Sequence, residues 1–125
     1  MKIDRIRGVV EFAVTGTLTL AVIEEAFSQF RASAPALVFR GFVWDLREAD
    51  ISEVNLGVLR EGFQKQPLSL PKTRNMRSAV VVGHRYGTGV GKLWIKSGEI
   101  FDHLERKVFT DIEVARDWVS RSERT

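Results

Sequence analysis

Apolar positions along the chain follow two alternating spacings. Short runs rich in β-branched residues predict strands, and they lie at residues 9–14, 37–46, 78–83 and 107–109, with an earlier edge strand at 3–6. Between them, apolar residues recur three and four positions apart, which predicts helices that begin near Thr19, Ser52, Lys92 and Thr110. This alternation predicts an α/β fold: a four- or five-stranded, mostly parallel (mixed) sheet with about four helices, mainly on one face.

The first and last predicted helices have the clearest apolar faces. The first ends before Pro35, and its face is formed by Ile23, Ala26, Phe27 and Phe30. Thr110 and Glu113 fit a capping box at the start of the last helix, whose expected core residues are Val114, Ala115, Trp118 and Val119. The helix near Lys92 is expected to extend to Leu104.

The run at 37–46 is nearly all apolar and predicts a central strand covered on both faces. Arg40 and Gly41 interrupt it, so either a kink or a late strand start is expected there. After this strand, Ser52 is the expected N-cap of the second helix.

Length and composition indicate one ordinary globular domain, residues 1–125, with 120–125 as a frayed tail. Hydrophobic residues make up 44% of the 125 and charged residues 28%. The absence of cysteine excludes disulfides, thiolate zinc sites and cysteine nucleophiles, and two histidines exclude a histidine-rich metal site. We therefore expect no metal or cofactor. The chain shows neither a leading apolar signal nor a run of about 20 apolar residues, so we expect a cytoplasmic protein without stable membrane insertion.

Basic residues dominate one part of the chain. The net charge is +3, yet residues 62–98 contain no acid and seven of the 19 lysines and arginines. Such a segment is either a solvated face or a site for an anionic partner, such as phosphate, a lipid head group or an acidic protein. Nucleic acid is not expected, because the basic residues form no dense run and aromatic residues are not interleaved with them.

A glycine-rich segment within this region follows the strand at 78–83. A turn that joins a buried strand to a helix can bind anions through backbone N–H groups, and the candidate residues are Arg85, Gly87, Gly89, Gly91 and Lys92. The alternative is a turn without a ligand. Leu93 stands where a Walker loop needs Ser or Thr, and Lys92 stands where the dinucleotide fingerprint needs its third glycine, so nucleotide hydrolysis is not expected.

Catalytic residues are not expected either. His84 and Asp45 form a conceivable pair near the carboxyl edge of the sheet, but no nucleophile accompanies them. A surface histidine and a strand-end aspartate that caps a turn explain these residues more simply. Trp94, if it faces outward, would line an apolar groove between helices, or the same surface would be a dimer interface.

Four segments of the chain together match the pattern of a known family. They are Thr-Gly-Thr-Leu-Thr at 15–19, the strand ending in Asp-Leu-Arg at 42–47, the basic-led apolar strand at 77–83, and the closing strand with its Ala-x-x-Trp helix at 108–118. With these segments the chain resembles the SpoIIAA-like branch of the STAS (sulfate transporter and anti-sigma-factor antagonist) superfamily, which neighbours the CRAL-TRIO lipid-binding fold. The resemblance implies a STAS-like fold over nearly the whole chain.

In anti-sigma antagonists of this superfamily, a serine is phosphorylated at the start of the helix after the Asp-Leu-type strand. Aligning the apolar residues that follow places Ser52, Glu53 and Val54 at the Asp-Ser-Ser of that motif, so the phosphoacceptor falls on Glu53 or Val54. A classical serine phosphoswitch is therefore not expected. Glu53 would either be a fixed negative charge at the helix N-terminus or a first-turn carboxylate without a signalling role.

These observations predict a non-enzymatic binding or regulatory module. Its expected partner is another protein, with a second copy of the chain among the candidates, or a small apolar or anionic ligand. The alternative from another class is a small CRAL-TRIO-like carrier of lipids or other hydrophobic molecules, and the third is an uncharacterised enzyme.

Overall fold

The computed structural model describes residues 1–33, 40–52, 55, 57, 76–83 and 104–121. Two helices have both ends in these ranges, α1 (Leu20–Ser33) and α2 (Ile112–Ser120), and Gly57 is also helical. The strands are β1 (Lys2–Asp4), β2 (Val9–Ala13), β3 (Gly16–Thr17), β4 (Gly41–Asp45), β5 (Ala49–Asp50), β6 (Met76–Val81) and β7 (Leu104–Phe109).

Five of these strands form one mixed sheet in the order β1-β2-β4-β6-β7, as expected for the α/β class. β1 is antiparallel to β2, whereas β2, β4, β6 and β7 are parallel to one another. β3 and β5 form a separate two-stranded parallel ladder. Parallel neighbours require crossover connections, and α1 belongs to the connection from β2 to β4.

The two described helices cover opposite faces of the sheet. On the α1 face, Phe27 and Phe30 pack with aromatic residues of the central strands, and the Phe12 and Trp44 ring centroids lie 4.5 Å apart. The buried side chains on the α2 face are smaller, and they are Val9, Val43, Ala79, Val81, Ala115 and Val119. α1 and α2 thus lie on opposite faces. That the helices lie mainly on one face stays a prediction, because the helices expected near Ser52 and Lys92 lie almost wholly outside the described residues.

Close packing against β6 and α2 explains why β4 begins with glycine. A Cβ atom on Gly41 would collide with the backbone carbonyl of Arg77 and would lie 2.9 Å from Cγ1 of Val119. The end of the helix is held by arginines: Arg77 donates to the Trp118 carbonyl at 2.7 Å, and Arg40 to the Ser120 carbonyl at 3.0 Å. Cations at a helix C-terminus also interact favourably with the helix dipole.

Several sequence-based boundaries are confirmed and others need correction. β4 begins at Gly41, the expected late start, and Ile23, Ala26, Phe27 and Phe30 are buried as predicted. Ile6 is wrong as a strand residue, since it lies in the turn after β1 and is 98% exposed. Leu104 is the first residue of β7 and not the end of a helix.

The start of α2 also differs from the prediction. Asp111, and not Thr110, is the N-cap: its carboxylate accepts hydrogen bonds from the N–H groups of Glu113 and Val114 at 2.8 and 3.2 Å. Val114 is 53% exposed, so it is wrong as a core residue. Ser120 ends α2 and Arg121 is its C-cap, and the rest of the expected frayed tail, 122–125, lies outside the described residues.

Candidate functional site

The carboxyl ends of the parallel strands meet at one edge of the sheet, which is where ligands of open α/β sheets bind. The segments that follow β2 and β4 are joined there by backbone pairing, Gly16 with Ala49 and Thr17 with Asp50. The Leu18 N–H extends the ladder by donating to the Asp50 carbonyl at 2.8 Å. We call residues 14–18, 45–52 and 82–83 the carboxyl rim.

The carboxyl rim is also tied to the strands below it. The Val14 N–H donates to the Asp45 carbonyl at 3.0 Å, and the Leu46 N–H donates to the Val81 carbonyl at 2.8 Å. Its apolar residues lie in the core beneath α1 and are Val14, Leu18, Leu46, Ala49, Ile51 and Val82. Its exposed residues are Thr15, Gly16, Thr17, Arg47, Glu48, Asp50 and Ser52. The rim therefore presents hydroxyl and charged groups on a hydrogen-bonded base.

Asp45 lies where β4 enters the rim and forms a bidentate ion pair with Arg47. The guanidinium Nε and Nη2 each lie 2.9 Å from one carboxylate oxygen of Asp45. The Arg47 backbone N–H also donates to Asp45 Oδ1, at 3.2 Å, which closes a turn. These hydrogen bonds, with smaller Coulombic contributions from Arg47 and Arg116, lower the pKa of Asp45 below its usual 3.8. The carboxylate is thus ionised at neutral pH, and it caps a turn as the simpler sequence interpretation expects.

Ser52 is exposed on the same rim. Its backbone N–H donates to Oδ1 of Asp50 at 3.0 Å, and this hydrogen bond lowers the pKa of Asp50. The prediction that Ser52 is the N-cap of the second helix is wrong, because Asn55 is not helical and the next described helical residue is Gly57. Glu53 also lies outside the described residues.

The structure brings two of the predicted site residues, Asp45 and Ser52, onto one rim. The candidate anion-loop residues Arg85, Gly87, Gly89, Gly91 and Lys92 lie outside the described residues, as do Trp94 and His84. Gly83, the last described residue before that loop, has open space on its Cα side: an added Cβ would meet nothing within 4 Å. The anion loop, the apolar groove and the histidine–aspartate pair thus stay predictions.

A charged network on the α2 face was missed by the sequence interpretation. Arg116 donates to both carboxylate oxygens of Glu11, at 3.0 and 2.8 Å, and also donates to Glu113. Hydrogen bonding to Glu11 raises the pKa of Arg116 above its usual value. One sequence signal pointed to this network, because a buried glutamate inside the apolar run at 9–14 requires a cationic partner.

A depression of about 260 Å³ lies beside this network, between β1, β2 and the first turn of α2. Its lining combines cations and anions and consists of Lys2, Asp4, Arg7, Val9, Glu11, Glu113 and Arg116. The lining carboxylates have protein partners: Glu11 and Glu113 bind Arg116, and Asp4 accepts the N–H groups of Ile6 and Arg7 at 3.1 and 3.0 Å.

Comparison with protein-family models, curated proteins and solved structures gives no match to this chain. Neither α1 nor α2 is long and apolar enough to cross a membrane.

Proposed function

We propose that the protein is a non-enzymatic binding or regulatory module of the SpoIIAA-like STAS type, which contacts a protein partner through its carboxyl rim. One observation carries the proposal. Two of the four segments that carry the resemblance meet here: 15–19 contains β3, 42–47 leads into β5, and β3 pairs with β5. Segments that are far apart in sequence thus contribute to one surface.

The rim has the properties of a recognition surface. Backbone pairing between Gly16–Thr17 and Ala49–Asp50 fixes both connections, so little conformational entropy is lost when a partner binds. Its exposed side chains provide hydroxyls and charges of both signs, which suit the polar contacts of a non-obligate protein interface. Arg47 is 43% exposed while held by Asp45, so its orientation is set before a partner arrives.

The position of Ser52 connects this surface to the STAS resemblance. The phosphorylated serine of anti-sigma antagonists lies near the start of the helix after the Asp-Leu-type strand, and Ser52 is exposed on the rim in that part of the chain. Because the aligned phosphoacceptor falls on Glu53 or Val54, we propose a rim that binds its partner without a phosphorylation switch.

The alternative of a lipid carrier is not favoured by the described part of the α1 face. The rings there contact one another closely: the centroids of Phe27 and Trp44 lie 5.7 Å apart, and those of Phe30 and Phe42 lie 5.3 Å apart. These side chains fill the space between α1 and β4. The proposal therefore assigns binding to the rim.

Site-specific photo-cross-linking in cells that produce the protein tests this assignment. A benzophenone amino acid is placed at Thr17 or Ser52 on the rim and, as a matched control, at Ser28, which is exposed on α1. We expect a discrete adduct with another protein from the two rim positions and none from Ser28. Arg47→Glu should remove the adduct formed from Thr17.

Equal adducts from Ser28 and Ser52, or no adduct from either rim position, would contradict the proposal. Native mass spectrometry of the freshly purified protein distinguishes a lipid carrier from the proposed protein-binding module. An apolar molecule that co-purifies in stoichiometric amount would favour a carrier, whereas the bare protein mass is expected here.

A further inference from the structure

β1 is one outer strand of the described five-stranded sheet, and one side of it pairs with β2. The opposite side of a terminal strand carries backbone N–H and C=O groups that can pair with another strand. The strand consists of Lys2, Ile3 and Asp4, a cation and an anion on either side of an apolar residue. When two copies of this strand run antiparallel, the cation of each lies opposite the anion of the other.

We propose that two copies of the chain associate by antiparallel pairing of their β1 strands about a two-fold axis through Ile3. In this register Lys2 of one copy lies opposite Asp4 of the other, and the reverse pair is formed by symmetry. Opposite charges directly across an antiparallel pair are favourable. The two Ile3 side chains face each other on the α1 face, where Ile3 packs against the hydrophobic core.

The charges needed for this pairing are available. Within the described part of the chain, Lys2 has no ion-pair partner, since its cross-strand neighbour Glu11 is bound by Arg116. Asp4 uses Oδ1 for the turn N–H groups, and among the described residues its Oδ2 has no partner. An isologous contact would give each group an opposite charge without removing an existing ion pair.

The other outer strand, β7, is less complementary to itself. Its middle residues are Arg106 and Lys107. A two-fold axis through Lys107, or between Arg106 and Lys107, places like charges directly opposite each other, which is destabilising. An axis through Arg106 would pair Glu105 with Lys107, but it sets the two Arg106 residues opposite each other, and Glu105 is already bound by Arg77. Charge complementarity therefore favours β1 over β7 as the edge that pairs with a second copy.

The turn that follows β1 adds apolar area. Ile6 is 98% exposed at its tip, and Met1 is 42% exposed at the other end of the strand. A three-residue strand with two such neighbours provides a small interface, and interfaces well below the standard size are weak. We therefore expect a reversible dimer that forms at high protein concentration and weakens as salt concentration rises. No residue of the carboxyl rim takes part, so this inference is independent of the proposed function.

Sedimentation velocity over a protein-concentration series tests the pairing with charge-reversed variants. Lys2→Glu places two acids opposite each other in the homodimer, and Asp4→Lys places two lysines there. Each variant alone should dimerise at least ~10-fold more weakly than the natural chain, and an equimolar mixture should recover dimerisation, because the heterodimer contains two opposite-charge pairs.

The milder pair Lys2→Gln and Asp4→Asn guards against misfolding, since asparagine keeps an oxygen acceptor for the turn. These variants should weaken the dimer and reduce its salt dependence. Lys107→Gln on β7 is the matched control and should leave dimerisation unchanged. A natural chain that stays monomeric at the highest concentration, or a mixture of charge-reversed variants that does not recover dimerisation, would overturn the inference.

Discussion

Arg116 and Glu11, 105 positions apart in the sequence, form a bidentate ion pair that joins α2 to the middle of β2. The Glu11 side chain is 11% exposed and the Arg116 side chain 24%, so water screens the pair only partly. The same guanidinium also contacts Glu113 in the first turn of α2. The pair therefore fixes α2 on a face whose fully buried apolar side chains are only valines and alanines.

Arg116→Ala should lower the free energy of unfolding by about 3 kcal/mol, because it leaves Glu11 charged and nearly buried without its partner. Replacing both partners, Arg116→Met together with Glu11→Leu, should recover most of that loss, since no uncompensated charge remains. Urea unfolding at pH 7 measures both variants.

The pair of Arg121 with Asp117 provides the control for this measurement. Their side chains are 73% and 49% exposed, and exposed ion pairs contribute less than about 1 kcal/mol. Arg121→Ala should therefore have a small effect. If Arg116→Ala unfolds at the same urea concentration as Arg121→Ala, the ion pair with Glu11 does not stabilise the fold.

Asp45 predicts a pH-dependent contribution to stability. Its folded pKa lies below the usual 3.8, so its ion pair with Arg47 contributes fully above about pH 4 and is lost as the pH falls through the lowered folded pKa. Asp45→Asn should destabilise the protein by about 1–2 kcal/mol at pH 6, and its difference from the natural chain should shrink below pH 3.8.

The free energy of unfolding, measured at pH 6 and again at the lowest pH where the protein remains folded, shows whether this difference shrinks as the pH falls. Asp117→Asn serves as the control, since Asp117 lies in the exposed pair with Arg121. A difference between Asp45→Asn and the natural chain that grows towards low pH would contradict the assigned role of the ion pair.

Local sequence patterns predicted much of the fold because burial follows them directly. The i, i+3, i+4, i+7 spacing identified the buried face of α1, and the apolar run that ends at Leu46 identified a strand covered on both faces. Parallel pairing followed from the alternation of strands and helices. The element type and the buried face of each element are set mainly by residues close together in the sequence.

Long-range geometry accounts for what the sequence did not show. The pairing of Gly16–Thr17 with Ala49–Asp50 involves two-residue strands, which are too short to produce an alternating pattern. The side of the sheet that α2 covers is set by contacts of Ala115 and Val119 with strands far away in the sequence. The ion pair of Glu11 with Arg116 required knowing that residue 116 would lie over β2, although a glutamate in an apolar run already indicated a need for a partner.

The N-cap of α2 was misassigned for a local reason that can be tested. Thr110 and Asp111 both have suitable side chains, and the Thr110–Glu113 spacing matched a capping box. The backbone places Asp111 at the cap, with φ −116° and ψ 121°. Asp111→Ala should therefore cost about 1 kcal/mol of unfolding free energy, and Thr110→Ala much less.

Asp111→Asn should retain most of this stability, because asparagine is also a good N-cap. Thermal unfolding of the three variants distinguishes the assignments. A larger loss from Thr110→Ala than from Asp111→Ala would restore the capping box as the correct interpretation.

The ladder between β3 and β5 constrains how this chain can vary. Each member follows a different strand of the main sheet after only a few residues, so an insertion or deletion in 14–15 or 46–48 would shift one member along the other. A side chain that moves by one position in a strand changes face, and Ala49 would then exchange its buried place with exposed Asp50. Related chains should therefore conserve the lengths of these two connections even where their side chains diverge.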